Sequence, residues 1–506
     1  MAEPFYVSTP IYYVNDVPHL GHAYTTVVAD ALARFHRQRG APVLFLTGTD
    51  EHGQKVEQAA AKLGIPPREH CDRMVAHFRA LWDKLNISND DFIRTTEPRH
   101  IRVVQGLLAD LMARGEIYKA AYEGWYCVPD ERFWTDKDAE SGRCPDCGRE
   151  LVRLAEENYY FRMGSHRDWL VAHIEANPGF IQPESRRNEI LGFLRQPLGD
   201  LCISRPKKRL AWGIELPFDP DYVTYVWFDA LTNYITGAGY GADPERFARF
   251  WPAVHHLVGK DILTTHAVYW PTMLHGGGIA PPRAIFAHGW WTIEGRKMSK
   301  SVGNVVDPGA LADRYGVDGL RYFLMREVPF GPDGDFSHRA LVGRINTDLA
   351  NDLGNLLSRV LAMTGKYRAG AVPAAGSGET PLAGAAQEAA RAVQVAVERI
   401  APHAALTAIW GLIGQANKFV DDEKPWALAK DPGAAARLDR CLRGLLEALR
   451  AAAVLVWPFL PATAERIWRD LGLDGTPAAV EPEGWDLLPP GTQVRPSGPL
   501  FPRIEA

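Results

Sequence analysis

The start of the chain limits the possible fold more than any other feature, because two strand-like runs enclose one helix-like run. FYVSTPIYYV (5–14) and PVLFLTGTD (42–50) are rich in β-branched, aromatic and other apolar residues, which favours buried strands. Between them, HLGHAYTTVVADALARFHRQRG predicts a helix that ends at Gly40. A strand, a helix and a second strand over this length form one βαβ unit. We therefore predict an α/β fold with a Rossmann-type parallel sheet.

The α/β pattern is interrupted once and is later replaced by helices. An amphipathic helix ends at Gly115, and the sequence that follows is irregular, contains cysteines and is broken by Pro and Gly. Strand-like runs then resume, and from Leu341 onward apolar residues recur at helical spacing, which predicts a helix bundle with a Pro-rich tail on its surface. We predict a first half of the α/β domain (1–115), an inserted domain (116–222), its second half (223–290), a connecting region (291–340) and the bundle (341–506).

Composition places the chain among ordinary globular enzymes. Its 506 residues suggest about three or four domains. No apolar run is long enough to cross a bilayer and no secretory signal is visible, so we expect a cytoplasmic protein without a membrane partner. The net charge of −5 argues against a general polyanion-binding protein but allows a local basic site for RNA. The clearest basic cluster, Arg205 to Arg209, is predicted to be a solvated loop.

The first candidate site is His19-Leu20-Gly21-His22, at the predicted start of a helix. Histidines three residues apart share one face of a helix, and a helix N-terminus attracts anions through its free N–H groups. Gly21 leaves room for a flat base against the backbone. Alone, this motif is more often a pair of surface histidines.

The second candidate site is Lys297-Met298-Ser299-Lys300-Ser301, in a loop bounded by Gly295 and Gly303. Two lysines three residues apart in such a loop suit a mobile clamp on a triphosphate. The chain has no GxxxxGK sequence, which disfavours P-loop chemistry.

HLGH and KMSKS together resemble the two signature motifs of class I aminoacyl-tRNA synthetases. Further blocks narrow the resemblance to the methionyl-tRNA synthetase family of bacterial type, over essentially the whole chain; these are STPIYYVNDVPHLGHAYT, LTGTDEHG, TYVWFDALTNY, HLVGKDIL, GRKMSKSVGN and EKPW. The resemblance implies an AMP-forming ligase that activates L-methionine with ATP and transfers it to tRNA(Met). It also implies that region 291–340 carries the KMSKS loop and contacts the tRNA stem.

The resemblance implies a methionine site whose ammonium partner is Asp50. It implies a side-chain pocket lined by Ile11, Tyr13, Trp227, Ala230, Leu231, Tyr234 and His266. Within it, we expect the Tyr13 hydroxyl to face the sulfur and His266 to hold that hydroxyl. Taken singly, each aromatic residue is more often core packing.

For ATP, the resemblance implies contacts from His19, Gly21, His22, Gly259, Asp261, Lys297 and Lys300. Asp261 would hold the ribose. Because a carboxylate nucleophile needs no general base, catalysis can depend on alignment and on cations. His22, Lys297, Lys300 and Mg²⁺ would supply that charge, and His19 completes the expected catalytic set.

A metal site is indicated inside the predicted insertion. Cys127-Val-Pro-Asp130 and Cys144-Pro-Asp-Cys147 give two turns with ligands three residues apart, the spacing of a structural zinc knuckle. Asp130 stands where the four-thiol pattern has a cysteine. A carboxylate ligand, a water in the fourth position and a knuckle that has lost its metal all stay open.

The helix bundle is expected to read the anticodon. In the family, an Asn and an Arg one turn apart and a Trp after Lys-Pro contact the anticodon bases, and Asn355, Arg359 and Trp426 match. Because the chain ends soon after the bundle, we expect a monomer. The short insertion leaves no room for a large editing domain.

Three alternatives are less consistent with these motifs. A cysteinyl enzyme would need a second Cys/His set, a non-catalytic tRNA-binding paralogue would have no use for both HLGH and KMSKS, and a small-molecule adenylate-forming ligase would lack the bundle.

Overall fold

The computed structural model describes residues 2–127, 132–134, 139, 142–145, 147–297, 306–374, 380–480 and 484–505. Its strands are β1 Phe5–Tyr13, β2 Val43–Asp50, β3 Asp91–Arg94, β4 Ile117–Cys127, β5 Arg132–Trp134, β6 Val152–Phe161, β7 Ile181–Gln182, β8 Leu201–Cys202, β9 Ser204–Pro206, β10 Glu215–Leu216, β11 Asp219–Thr224, β12 Val254–Gly259, β13 Ala284–His288, β14 Trp291–Ile293, β15 Arg296–Lys297 and β16 Gly334–Phe336.

Its α-helices are α1 Leu20–Gln38, α2 Gln54–Leu63, α3 Pro67–Lys84, α4 Pro98–Ala113, α5 Arg167–Ala176, α6 Glu184–Phe193, α7 Val226–Ala238, α8 Pro244–Phe250, α9 Trp270–Gly276, α10 Pro308–Tyr315, α11 Val317–Arg326, α12 His338–Arg344, α13 Asn355–Arg368, α14 Pro381–Glu398, α15 Pro402–Glu423, α16 Pro425–Leu428, α17 Ala435–Val456 and α18 Pro461–Asp470. Among the helices of the described ranges, none is both long enough and apolar enough to cross a membrane.

A six-stranded parallel sheet forms the centre of the α/β domain, in the order β3-β2-β1-β12-β13-β7. The predicted βαβ unit is present, since α1 joins the adjacent parallel strands β1 and β2. Parallel strands end at one edge, so the carboxyl ends of β1, β2, β12 and β13 open onto the same crevice, where α/β proteins bind ligands.

The inserted region is mostly antiparallel. β4 and β6 form a long hairpin that β5 and β8 extend, and β9, β10 and β11 form a smaller sheet. However, β7 pairs with Ile285 and Phe286 of β13, so residues 116–222 are not separate from the central sheet throughout. The domain boundaries themselves stay predictions. The segment TYVWFDAL changes from strand to helix after Thr224, which places WFDAL on α7.

The C-terminal region is the expected helix bundle. α12, a π-helical stretch (Ile345–Gly354) and α13 follow one another without a break, and they bury the predicted apolar stripe that begins at Leu341. The tail crosses the bundle surface, since the backbone N–H of Ile504 donates to the Asn346 side chain and residues 371 and 493 form a β-bridge. The predicted fold class, a parallel α/β domain followed by a helix bundle, is confirmed.

Candidate active site

A cavity of about 660 Å³ lies at the carboxyl edge of the central sheet. Its lining includes every residue predicted to bind methionine, namely Ile11, Tyr13, Asp50, Trp227, Ala230, Leu231, Tyr234 and His266. The lining also includes the predicted nucleotide residues His19, Gly21, His22, Gly259 and Asp261. Residues from β1, α1, β2, α7 and the end of β12 therefore meet in one space large enough for two small ligands.

The two histidines of HLGH form a capping box at the start of α1. The His19 Nδ1 atom accepts a hydrogen bond from the Gly21 backbone N–H at 3.1 Å. The His22 Nδ1 atom accepts one from the His19 backbone N–H at 3.2 Å. The two rings stack with centroids 3.7 Å apart. Because both Nδ1 atoms accept, each neutral ring carries its proton on Nε2 and can donate it to a ligand.

Burial determines the charge of both histidines in the ligand-free protein. It lowers the pKa of His22 well below the usual histidine value, and the neighbouring His19 lowers it further. Burial also lowers the pKa of His19, although Asp261 opposes that shift. Neither ring is therefore charged at neutral pH before a ligand binds. His22 is a hydrogen-bond donor in this state, and the charge expected on it when ATP is bound stays a prediction.

The Asp50 carboxylate lies at the end of β2, buried against the cavity. The residues after it are anchored away from the cavity. The Glu51 carboxylate accepts two hydrogen bonds from the Arg94 guanidinium, at 2.6 and 3.0 Å. The His52 Nδ1–H donates to the Asp229 carboxylate at 2.6 Å, and His100 donates to the other oxygen of Asp229 at 2.7 Å. Asp229 lies on α7, the helix that lines the pocket. These contacts therefore fix residues 50–53, the Asp50 loop, relative to that helix.

The structure corrects the expected partner of His266. The His266 Nδ1–H donates to the Ile262 carbonyl at 2.9 Å, and its Nε2 atom lies 2.8 Å from the Tyr234 hydroxyl. Burial lowers the pKa of His266 to about 4, so the ring is neutral and Nε2 accepts the Tyr234 proton. His266 thus holds Tyr234 and not Tyr13. The Tyr13 hydroxyl lies instead beside Gly53, within 2.6 Å of where a Cβ atom would stand.

The nucleotide end of the cavity contains residues that the sequence did not single out. The Trp290 indole N–H donates to Asp261 at 3.0 Å, which orients the carboxylate predicted to hold the ribose. A Cβ atom on Gly259 would lie 2.5 Å from the same carboxylate, so the glycine permits this close turn. Thr25 donates to His288 Nε2 at 2.7 Å, and both residues line the cavity. His288 and Trp290 lie in AIFAHGWWTI, at the end of a predicted strand, and that position was the available signal.

Lys297 belongs to β15, whose backbone pairs with Thr292 of β14. The side chain of Lys297 and the whole of Lys300 lie outside the described residues, so the expected phosphate clamp stays a prediction.

Three of the four predicted metal ligands come together. The sulfur atoms of Cys127, Cys144 and Cys147 lie within 4.8 Å of one another, and those of Cys127 and Cys147 are 3.5 Å apart. Zinc–sulfur bonds of about 2.3 Å in a tetrahedron separate the sulfurs by about 3.8 Å. The thiols are therefore spaced as zinc ligands would be. Asp130 lies outside the described residues.

The predicted anticodon residues lie on the bundle surface. Asn355 and Arg359 lie one turn apart on α13, and Asn355 is exposed. The Arg359 guanidinium lies 6.0 Å from the centre of the Trp426 ring, and it forms an ion pair with Asp421 at 3.0 Å. Trp426 is 41% exposed. The structure thus brings Arg359 and Trp426 to one face.

The basic cluster Arg205 to Arg209 is a solvated loop only in part: residues 207–209 form a turn in which Lys208 is exposed, but the other basic side chains make contacts within the chain. Arg205 is buried and packs over the Tyr225 ring at 4.5 Å. Arg209 pairs with Glu156 at 2.8 Å, and Lys207 with Glu215 at 2.6 Å. The charged groups of Arg205, Lys207 and Arg209 therefore contact other residues of the chain.

Comparison with known proteins gives consistent matches. Residues 5–156 and 149–361 match the family model described as tRNA synthetases class I (M), and residues 371–506 match the anticodon binding domain of methionyl tRNA ligase. A methionine–tRNA ligase of Caldanaerobacter subterraneus is 49% identical over 100% of this chain and 80% of its own length. One of Thermotoga maritima is 45% identical over 99% of this chain and 80% of its own length. A solved structure of Mycobacterium tuberculosis methionyl-tRNA synthetase in complex with methionyl-adenylate is 46% identical, with a TM-score of 0.94 over 99% of this chain and 100% of that one.

Proposed function

Because this chain belongs to the methionyl-tRNA synthetase family, we propose that its cavity binds methionine at Asp50 and ATP at the HLGH turn. The chain is an aminoacyl-tRNA ligase, which activates methionine with ATP and charges tRNA. The family match decides against the cysteinyl alternative. One observation carries the residue assignment: a single cavity contains both the expected amino-acid residues and the described part of the expected nucleotide residues.

Asp50 is the proposed partner of the methionine ammonium, because it is a buried carboxylate at the cavity wall. Ile11, Trp227, Ala230 and Leu231 provide the apolar surface for a flexible thioether chain. Tyr234, whose hydroxyl donates its proton to His266, is proposed to contribute its ring to the same wall of the pocket. Tyr13 remains in the proposed lining but without the predicted contact to His266.

At the nucleotide end, His19 and His22 are proposed to donate their Nε2 protons to ATP phosphate oxygens, and Asp261 to accept from the ribose hydroxyls. Methionine's carboxylate oxygen forms a bond to the α-phosphorus, and the bond to the pyrophosphate oxygen breaks. The residues mainly align the reactants and stabilise the charge that develops on phosphate. Lys297 and Lys300 are proposed to bind the leaving pyrophosphate, and Mg²⁺, when bound, would supply further positive charge there.

Pyrophosphate exchange into ATP tests these assignments directly. Methionine should drive rapid exchange, whereas cysteine, leucine and isoleucine should not. Asp50→Asn should raise the methionine KM strongly and leave the ATP KM nearly unchanged. Asp313→Asn removes a carboxylate from a surface ion pair with Lys84 and serves as the control. Faster exchange with another amino acid, or an unchanged methionine KM in Asp50→Asn, would contradict the proposal.

The cysteine cluster is proposed to bind one structural zinc ion. Cys127, Cys144 and Cys147 would provide three thiolates and Asp130 the fourth ligand, and such closed sites stabilise a fold rather than catalyse. Elemental analysis should find about one zinc per chain in protein purified without chelators. Cys144→Ser should lose it, and Asp130→Ala should bind it more weakly. Metal-free protein of full thermal stability would overturn this assignment.

The bundle face around Arg359 and Trp426 is proposed to bind the anticodon of tRNA(Met), with Asn355 contributing from the same helix. We propose in addition that the protein is cytoplasmic and that it is a monomer. Light scattering at enzyme concentrations used in assays should give the mass of one chain, and a dimer mass would contradict the last point.

A further inference from the structure

The Asp50 loop, residues 50–53, has a support that does not come from the α/β domain. On one side, Arg94 and Thr96 bind the Glu51 carboxylate. On another, Asp229 binds His52. On the third side, the loop meets Trp212, which belongs to the predicted insertion.

Trp212 makes two hydrogen bonds to the backbone of this loop, in opposite directions. Its indole N–H donates to the Glu51 carbonyl at 2.5 Å, and its carbonyl accepts from the Gly53 N–H at 3.2 Å. Its ring also lies 5.4 Å from the His52 ring. Trp212 thus contacts each of the three residues that follow Asp50.

The position of Trp212 is set by the insertion. The preceding turn is anchored where Arg209 pairs with Glu156 of β6 and packs on the Tyr126 ring of β4. After Trp212, the Ile214 carbonyl accepts the Thr224 N–H at 2.7 Å, just before α7 begins. The same arm is therefore fixed both to the long hairpin and to the start of the pocket helix.

The loop itself has little freedom to compensate for a lost contact. Gly53 has a φ of 104°, in a region that favours glycine, and the Tyr13 hydroxyl lies within 2.6 Å of its missing Cβ position. Among the described residues, the other donor to the Glu51 carbonyl is the Cys71 thiol at 3.5 Å, and thiols are weak donors. Loss of the indole N–H would leave this carbonyl with a poor partner.

We propose that Trp212 is a positioning residue for methionine binding: it holds the Asp50 loop from the side of the insertion, so that the Asp50 carboxylate meets the ammonium group. This rests on the proposed role of Asp50. Trp212 does not line the cavity, so it acts through the loop and not on the substrate.

Trp212→Phe keeps an aromatic ring and removes the N–H donor. Losing one hydrogen bond of this kind should raise the methionine KM about two- to tenfold, with kcat and the ATP KM nearly unchanged. Trp169→Phe makes the same change elsewhere in the insertion, where Trp169 stacks on His275, and should leave all three values unchanged. An unchanged methionine KM in Trp212→Phe overturns the proposal.

Two methionine analogues separate positioning from general loosening. Methioninol keeps the ammonium and lacks the carboxylate, so its inhibition constant should rise as the methionine KM does. The deaminated analogue γ-methylthiobutyrate lacks the ammonium, so its inhibition constant should not change. Equal weakening of both analogues would mean that Trp212 supports the whole pocket, and would overturn the specific role.

A double-mutant cycle with Asp50→Asn tests the dependence on Asp50. If Trp212 acts through that carboxylate, Trp212→Phe should add little in the Asp50→Asn background, whereas independent effects would add. A raised methionine KM in Asp50→Asn with no effect of Trp212→Phe overturns the positioning role alone. An unchanged KM in Asp50→Asn instead contradicts the proposed function of Asp50.

Discussion

The polar groups of the proposed methionine pocket and those of the proposed anticodon face, the bundle surface around Asn355, Arg359 and Trp426, differ in how they are held. In the pocket, the Tyr234 and His266 side chains are buried and bonded to each other, in a chain that ends at the Ile262 carbonyl. On the bundle face, Asn355 is exposed, Trp426 is 41% exposed, and the carboxylate of Asp421 that pairs with Arg359 is 66% exposed. One region is fixed by its contacts, and the other is held by contacts that water can replace.

This difference is consistent with the two proposed ligands, because an amino acid offers few groups for recognition and anticodon bases offer many. One methylene of an amino acid provides only about 1–3 kcal/mol of discrimination, so the pocket depends on exact placement of few groups. Unpaired anticodon bases offer large stacking faces and several hydrogen-bonding edges. A surface that can rearrange its exposed side chains is sufficient there. We therefore expect substitutions in the cavity to have larger effects than substitutions on the bundle face.

The largest effect is expected for His22→Ala. It removes a fixed hydrogen-bond donor from the nucleotide end of the cavity, and loss of one such contact to developing charge costs about 2.7–4 kcal/mol. The rate of methionine-dependent pyrophosphate exchange should fall about 10²- to 10³-fold, with little change in the methionine KM. A similar loss of methionine binding would show that His22 supports the whole cavity.

The pH dependence of exchange checks the same residue. Since burial lowers the pKa of His22 well below the usual histidine value, the neutral ring persists as the pH falls from 8 to 6. The kcat/KM for ATP should therefore show no ionisation near pH 6.5 that disappears in His22→Asn. Such an ionisation would mean that the free enzyme uses a charged His22.

The second largest effect is expected for Tyr234→Phe, with Tyr13→Phe in the same pocket as the comparison. Tyr234→Phe removes the donor to the buried His266 Nε2 atom, and an unsatisfied buried group costs about 1–3 kcal/mol. If that cost falls mainly on the methionine-bound state, the methionine KM should rise about five- to 150-fold. Tyr13→Phe leaves that hydrogen bond intact and should have a clearly smaller effect. If Tyr13→Phe is the more damaging change, the assignment from sequence was better than the one from geometry.

His266 was predicted to hold Tyr13 and instead holds Tyr234, and this difference shows which contacts cannot be predicted from the sequence. The helix start at His19, the strand that delivers Asp50 and the apolar stripe from Leu341 depend on local patterns, and the structure contains all of them. The Tyr234–His266 pairing joins residues 32 positions apart, and the Trp212–Glu51 contact spans 161. No periodicity or cap encodes such contacts, because they depend on how strands and the insertion are arranged in space.

On the bundle face, Trp426→Ala should have an intermediate effect that is confined to tRNA. Stacking contributes about 1–3 kcal/mol per base, and a ring on an open surface should lie near the lower end. Aminoacylation efficiency should fall about five- to tenfold, with weaker discrimination against altered anticodons, while tRNA-free exchange stays near normal. Loss of exchange comparable to that in His22→Ala would contradict the separation of the two regions.

The smallest effect should come from Asp421→Asn, and its sign is informative. Exposed ion pairs contribute about 0–1 kcal/mol, so stability should hardly change. Without this partner, Arg359 is free to bind RNA, and one negative charge near the polyanion is removed. The tRNA KM should therefore fall, by no more than about fivefold, and the gain should shrink at higher ionic strength.

Asp439→Asn provides the matched control for that gain. Asp439 pairs with Arg368, which lies on the same helix as Arg359 but about 13 Å further along it. If the two variants improve the tRNA KM equally, the effect is general electrostatics and says nothing about Arg359. If Asp421→Asn instead weakens tRNA binding, the ion pair orients Arg359 for its ligand. The bundle face would then be preorganised like the methionine pocket, and the contrast between the two regions would be wrong at this residue.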